Sequence, residues 1–129
     1  MPQVVTPYLL YEDAERAVAF LTRAFGFREV DRRVGRAGGM HVEMEVAPGA
    51  RIYLGSPGGG FRGPAKVGRT SMQYVLVDDV KAHHARAVAA GAEVIEDLVD
   101  LPYGDRRYGC RDEQGHEWTF ATPRRAESA

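Results

Sequence analysis

Three polar side chains alternate with apolar ones in the first half of the chain. Residues 40–46 read MHVEMEV, so His41, Glu43 and Glu45 share one face of a strand and the methionines and valines share the other. An imidazole beside two carboxylates suits divalent-metal binding or recognition of a cationic or amine-bearing ligand, with Glu43 the most central member. The alternative is a solvated strand face without a ligand.

Aromatic and hydroxyl side chains form a second candidate set. Spacing by two residues gives shared faces for Thr6, Tyr8 and Leu10, for Arg51 and Tyr53, and for Met72, Tyr74 and Leu76. In the closing hairpin we expect Thr119 to pair near Tyr108, which brings Arg106 and Cys110 to the same side. Such a face suits a planar or amphipathic organic ligand, and the alternative is core packing. The predicted ligand-binding residues are Thr6, Tyr8, Glu43, Tyr53, Met72, Tyr74, Arg106, Tyr108 and Thr119.

The remaining histidines and the cysteine favour structural roles. His83 and His84 are adjacent on a predicted helix and point about 100° apart, so they cannot hold one metal ion between them. His116 lies after the final turn and is expected to bond locally. Cys110 lies within a predicted strand, where a small buried apolar group is the usual role of a free cysteine.

A tandem repeat positions these side chains. Residues 7–30 and 73–96 follow the same pattern: an apolar strand, an acidic turn, a helix, a glycine stop and the start of another strand. Tyr8 matches Tyr74, and Asp13 matches Asp79, each 66 residues apart. Asp13 is the expected helix N-cap and Gly26 the expected stop. With the later strands, the pattern predicts an α+β fold made of two βαβββ modules.

The chain length of 129 residues fits one domain. We place the first module at about residues 4–55, a glycine- and proline-rich connector at 55–69, the second module at about 70–123 and a frayed tail at 124–129. The connector is expected to be mobile. Within it, Phe61 either pins the loop or covers a ligand.

Composition excludes several classes of function. A net charge of −1 gives no reason to expect nucleic acid or an anionic membrane as a partner. One cysteine excludes an intramolecular disulfide and a cysteine-based zinc site. No signal peptide and no run of about 18 apolar residues is visible, so we expect a cytoplasmic protein.

These elements and motifs resemble the glyoxalase/bleomycin-resistance/extradiol-dioxygenase superfamily, whose fold is called vicinal oxygen chelate. The resemblance rests on the first segment PYLLYEDAERAVAFL with AFGF, on VDDV and AAGA in the second copy, and on the closing hairpin at residues 103–120. It covers residues 5–123 and implies two βαβββ modules whose mixed and antiparallel sheets curl around a cleft. In this family the site is often formed across a homodimer.

The resemblance also locates the family's metal ligands. They belong on the first and last strands of each module, which here corresponds to Thr6, Tyr53, Met72 and Thr119. None of these is histidine, glutamate or glutamine, and neutral hydroxyls and a thioether are poor ligands for a hard divalent metal. We therefore expect neither a metal ion nor another cofactor.

Two functions follow as expectations. The first is a homodimeric, metal-independent protein that binds a small organic or antibiotic-like ligand in a dimer cleft without turning it over. The second is an enzyme of the family, a lyase, isomerase or dioxygenase, with a displaced metal site near His41 and Glu43 or with acid–base chemistry by Glu43 and a tyrosine.

Overall fold

The computed structural model describes residues 3–35, 39–102 and 104–123. The first module contains β1 (Tyr8–Leu10), α1 (Ala14–Phe25), β2 (Arg28–Val34), β3 (Met40–Ala47) and β4 (Ala50–Ser56). The connector contains a short helix, α2 (Pro64–Val67). The second module contains β5 (Met72–Leu76), α3 (Val80–Ala89), β6 (Glu93–Asp100), β7 (Asp105–Arg111) and β8 (Glu117–Pro123). The predicted tail at 124–129 lies outside the described residues.

Within the described residues, the strands form two four-stranded sheets with the orders β1-β4-β3-β2 and β5-β8-β7-β6. β1 pairs in parallel with β4, and β5 in parallel with β8; the other pairs are antiparallel. This confirms the predicted α+β architecture of two βαβββ units. Pro7 immediately precedes β1, and β1 is an edge strand, where a residue without a backbone donor is tolerated.

The helix boundaries follow from the capping residues that the repeat supplies. The carboxylates of Asp13 and Asp79 accept hydrogen bonds from the backbone of Arg16 and Ala82, at 3.0 and 3.1 Å, and so begin α1 and α3. Gly26 ends α1 with φ of 78°, a left-handed conformation that glycine adopts without a Cβ penalty.

One hydrophobic core joins the two modules. Helix α1 packs on the inner side of the first sheet and α3 on the inner side of the second. Residues of both modules belong to one buried cluster. Phe25 at the end of α1 contacts Trp118 and Phe120 of β8, with ring centroids 5.4 and 4.7 Å apart. Burial of large aromatic rings supplies most of the favourable free energy of this contact. Each sheet therefore has a core face and, on its other side, an open face.

Polar contacts reinforce the junction between modules. Arg86 of α3 donates to the carbonyls of Thr22 and Arg23 at the end of α1, at 3.1 and 3.0 Å. His116, which we expected to bond locally, instead places Nε2 2.7 Å from the carbonyl oxygen of Leu10 in the other module. These bonds satisfy strand-end and helix-end carbonyls that would otherwise lack partners.

The connector is anchored to the body of the protein at two points. Glu12 accepts from the backbone of Gly63 at 2.8 Å and from Nζ of Lys66 at 2.7 Å. The backbone of Ala65 donates to the carbonyl of Gln114 at 3.3 Å. The glycine-rich composition concealed α2, whose docking depends on partners distant in sequence. No helix in the described ranges is long and apolar enough to cross a membrane.

Candidate functional site

The outer side of the first sheet carries a mixed aromatic and charged surface, which we call the first open face. It consists of Tyr8, Leu10, His41, Glu43, Arg51, Tyr53 and Gly55. The register explains the set: Tyr53 lies between Tyr8 on β1 and Glu43 on β3, and Gly55 lies between Leu10 and His41. The alternate residues, such as Val42 and Leu54, are fully buried in the core.

Three rings meet on the first open face. The ring centroids of Tyr8 and Tyr53 are 5.7 Å apart, those of His41 and Tyr53 5.0 Å, and those of Tyr8 and His41 5.4 Å. Tyr8 is nevertheless 50% exposed, and the neighbouring Leu10 is 41% exposed. The cluster therefore presents aromatic and apolar surface to solvent, as a binding face for an organic molecule requires.

A chain of hydrogen bonds runs through this cluster. The hydroxyl of Tyr8 lies 2.7 Å from Nδ1 of His41, and Nε2 of His41 lies 3.2 Å from Oε2 of Glu43. Arg33 of β2 contacts the same oxygen of Glu43 at 3.2 Å, and Arg51 contacts Oε1 at 3.2 Å. The side chain of Glu43 is 14% exposed, so both its oxygens are held and largely shielded. This arrangement is a preorganised polar network beneath the exposed tyrosine.

Gly55 creates the space in which the Tyr8 ring lies. A Cβ at position 55 would approach Cε1 of Tyr8 to 2.7 Å, closer than two unbonded carbons can lie. The absence of a side chain lets the ring lie on β4 within reach of His41. The sequence offered no sign of this role, since only the register of β1 against β4 places the two residues together.

Within the described part of the chain, Tyr8 and Leu10 of the first open face line two cavities. The larger, of about 540 Å³, lies between β1 and the connector, with Phe61, Arg62 and Val67 among its lining residues. The smaller, of about 360 Å³, also includes His41 and Gly55. Both volumes are in the range of small-molecule sites. Phe61 is half-buried in the wall of the larger cavity.

The second sheet repeats the arrangement with different chemistry. Its open face, the second open face, consists of Met72, Tyr74, Leu76, Arg107, Gly109, Thr119 and Ala121. Tyr74 lies beside Thr119 as Tyr8 lies beside Tyr53, again 66 residues apart. The hydroxyl of Tyr74 donates to Asp105 at 2.7 Å. Partial burial and that carboxylate raise the pKa of Tyr74, against an opposing contribution from Arg107.

The predicted register of the closing hairpin is wrong by one residue. Thr119 pairs with Gly109, and Tyr108 pairs with Phe120. Because side chains alternate across a strand, this shift moves Arg106, Tyr108 and Cys110 to the core side, away from Thr119. Arg107, which was not among the predicted ligand-binding residues, takes the open-face position instead.

The displaced residues have structural contacts. Tyr108 is fully buried with its hydroxyl 2.6 Å from Nδ1 of His83, and burial raises its pKa. Arg106 pairs with Asp100 at 2.6 Å. Cys110 is fully buried, and burial raises the pKa of its thiol to about 12, which keeps it protonated and unreactive near neutral pH.

The nine predicted ligand-binding residues therefore separate into groups. Tyr8, Glu43 and Tyr53 lie together on the first open face, and Met72, Tyr74 and Thr119 lie together on the second. Thr6 precedes β1. Arg106 and Tyr108 belong to neither open face. The sequence pattern indicated His41 as a metal or ligand-recognition candidate but gave no sign of its contact with Tyr8, because that contact depends on strand alternation combined with the register across β4.

The donor chemistry does not fit the family's metal. Thr6, Tyr53, Met72 and Thr119 offer hydroxyls, a phenol and a thioether, and no group of three or more histidine, cysteine or acidic side chains in the described residues could hold a metal ion. The displaced metal site expected near His41 and Glu43 is also unfavourable. Both carboxylate oxygens of Glu43 contact Arg33 and Arg51, whose positive charges oppose the binding of a cation there.

Comparison with known proteins gives the same fold. The chain is 32% identical over 126 residues to the Mycobacterium bovis protein Mb0911c, described as uncharacterized, covering 92% of this chain and 82% of that protein. It is 32% identical to TioX from Micromonospora sp. ML1, whose crystal structure matches with a TM-score of 0.74 over 98% of this chain and all of TioX. A glyoxylase/bleomycin resistance protein/dioxygenase domain from Frankia sp. EAN1pec, 17% identical, matches with a TM-score of 0.79 over 98% of this chain and 96% of that domain.

The family model of the Glyoxalase/Bleomycin resistance protein/Dioxygenase superfamily matches residues 3–120. That span contains the first module, the second module as far as the middle of β8, and all the residues of the two open faces except Ala121. The chain belongs to the Glyoxalase/Bleomycin resistance protein/Dioxygenase superfamily.

Proposed function

We propose that the protein binds a planar or amphipathic small organic molecule at the first open face, without a metal ion and without turning it over. The observation that carries this proposal is the position of Tyr8, which is half exposed, belongs to a three-ring cluster and lines two adjoining cavities. An aromatic face with a few fixed polar groups is the usual composition of a site for such ligands. The side chains at the four positions where the family carries metal ligands are poor ligands for a hard divalent metal, which supports binding without a metal ion.

We further propose that a second copy of the chain completes the site. Tyr8 and Leu10 on β1, and Met72, Tyr74 and Leu76 on β5, are each 41–59% exposed on edge strands of separate sheets. Packing the first open face of one chain against the second open face of its partner would cover these exposed side chains of β1 and β5. The ligand would then lie between Tyr8 and Tyr53 of one copy and the partner's second open face.

A thermal-shift screen of planar aromatic compounds tests the binding proposal, because a ligand that binds only the folded state raises the melting temperature. We expect Tyr8→Ala to weaken binding of the compounds found by about 2 kcal/mol, as for a central aromatic contact. Val88→Ala is the control, since Val88 is 49% exposed on α3 and away from the open faces. Equal weakening by both variants, or none by Tyr8→Ala, would remove the site from the first open face.

Metal content tests the other half of the proposal. Protein purified without chelator should contain metal far below one ion per chain by elemental analysis. A content near one ion per chain, lost together with ligand binding on dialysis against a chelator, would favour the enzymatic alternative with a displaced metal site.

A further inference from the structure

The polar network on the first open face has the order of a proton-transfer chain. Tyr8, His41 and Glu43 are linked hydroxyl to Nδ1 and Nε2 to carboxylate, at 2.7 and 3.2 Å. We propose that this chain makes Tyr8 an acid–base group for a bound phenol or enol. The proposal rests on the proposed binding function at the first open face and adds to it a reversible proton transfer that leaves the bound molecule otherwise unchanged.

The neighbours of Glu43 determine which ring nitrogen of His41 carries the proton. Arg33 and Arg51 hold both carboxylate oxygens, and a paired carboxylate only accepts hydrogen bonds. Nε2 of His41 must therefore be the donor to Glu43, which leaves the lone pair of Nδ1 facing the Tyr8 hydroxyl. A histidine in this tautomer, oriented by a carboxylate, is a competent base for the hydroxyl that it faces.

The transfer conserves protons. The Tyr8 proton moves to Nδ1 of His41 as the ligand's hydroxyl proton moves to the Tyr8 oxygen, so the ligand becomes an oxyanion and His41 an imidazolium. Glu43 stabilises that imidazolium at Nε2. The reverse transfer returns the proton to the ligand and restores neutral His41.

Exposure assigns the contact with the ligand to Tyr8. Tyr8 is 50% exposed, while the side chains of His41 and Glu43 are 24% and 14% exposed. The ring of Tyr8 lies against Tyr53 and over Gly55, which hold it at the boundary of both cavities. His41 and Glu43 thus act as positioning and proton-holding groups behind it.

The duplication provides an internal control. Tyr74 occupies the position of Tyr8 in the second sheet and is 43% exposed. The residue at the register position of His41 is Arg107, whose guanidinium has no lone pair to accept a proton. The hydroxyl of Tyr74 donates to Asp105, and its pKa is raised by partial burial and that carboxylate. Tyr74 is therefore a tyrosine of similar exposure without the histidine base.

An aryl sulfonyl fluoride tests the proposal without knowledge of the ligand. In this reaction the phenol oxygen bonds to sulfur, the sulfur–fluorine bond breaks, fluoride leaves and the phenol proton passes to His41 and then to solvent. We expect peptide mass spectrometry to show Tyr8 labelled at least about tenfold faster than Tyr74, a modest part of the usual benefit of a general base. His41→Gln should lower the Tyr8 rate to that of Tyr74, and Glu43→Gln should lower it in part.

His84→Gln is the matched control, being the same substitution at a histidine of α3 that contacts Asp97. It should leave Tyr8 labelling unchanged. Nitrogen-15 NMR of the histidine rings in the unaltered protein gives a second measurement, which remains valid even where His41→Gln perturbs folding. The ring proton of His41 should reside on Nε2. A proton on Nδ1, or equal labelling of Tyr8 and Tyr74, would overturn the proton chain. Loss of fast labelling with retained ligand binding would leave the proposed function intact.

Discussion

At the scale of single residues, a missing side chain controls the position of the main aromatic group of the site. Gly55→Ala should displace the Tyr8 ring, because the new Cβ would lie 2.7 Å from Cε1. We expect the sulfonyl fluoride labelling of Tyr8 and the affinity for aromatic ligands both to fall several-fold, while the fold persists. Gly109→Ala is the control for the labelling of Tyr8 alone, because Gly109 lies on the second sheet and the nearest heavy atoms to its added Cβ are 3.6 Å away. Labelling unchanged by Gly55→Ala would contradict the assigned position of the ring.

A second residue, Asp112, organises the junction between the modules from a buried position. It is 7% exposed and accepts from the hydroxyl of Tyr11 at 2.5 Å, from the indole of Trp118 at 3.1 Å and from the backbone of Gln114 and His116, both at 3.0 Å. Burial and the carboxylate raise the pKa of Tyr11 well above its usual value. Each of these four donors therefore keeps its hydrogen bond only while the side chain at position 112 can accept it.

Asp112→Asn should lower the free energy of unfolding by about 2 kcal/mol, because the amide places a donor against these donors. Urea denaturation measures the change. Glu113→Gln is the neighbouring control: its ion pairs with Arg16 and Arg23, both at 3.9 Å, involve exposed side chains and should contribute less than about 0.5 kcal/mol. Equal effects of the two variants would show that the buried network does not stabilise the junction.

At the scale of elements, α3 carries a histidine in an environment that opposes its charge. His83 lies between helix and sheet, 4.1 Å from the ring centroid of Phe120, and desolvation lowers its pKa to about 4, assisted by the charge of Arg86. Tyr108 and the backbone of Phe25 are its polar neighbours. The unfolded chain therefore binds a proton at higher pH than the folded one does.

The consequence is a loss of stability in mild acid. The contribution of neutral His83 is complete above about pH 6.5 and declines as the pH falls toward about 4, where the folded form also protonates. The pKa displacement corresponds to at most about 3 kcal/mol, which partial solvent exposure reduces to roughly 2 kcal/mol. His83→Gln should flatten this dependence in urea denaturation between these pH values, and His84→Gln should retain it. An unchanged slope in His83→Gln would assign the acid sensitivity to other groups.

At the scale of the whole molecule, the two open faces belong to separate sheets joined by one core, so the proposed dimer can be tested by complementation. Subunits carrying Tyr8→Ala and Tyr74→Ala should each form dimers that bind aromatic ligand weakly. A mixed dimer should recover one intact site, formed by Tyr8 of one chain and the partner's unaltered second open face. Tandem affinity purification and calorimetric stoichiometry measure the recovery. No recovery in the mixed dimer would place each site within one chain.

Local patterns predicted much of the fold. The repeat, the aspartate caps, the glycine stop after α1 and the alternation of residues 40–46 all act within a few residues, where backbone geometry and periodicity are decisive. They correctly predicted two βαβββ units and placed Tyr8, Glu43 and Tyr53 on one side of a sheet. They did not predict α2, whose partners Glu12 and Gln114 are distant along the chain.

Pairing between strands decided the rest. The closing hairpin could be read in two registers, and a difference of one residue exchanged Arg106 and Tyr108 for Arg107 on the open face. The contacts of Tyr8 with His41 and Gly55 likewise depend on the register of β1, β4 and β3 together. The amino-acid sequence by itself determined the two long helices, the strand pattern of each module, the duplication and the lack of suitable ligands at the family's metal positions. Only the tertiary structure decided which side chains meet, because register and core packing arise from contacts between residues far apart in the chain.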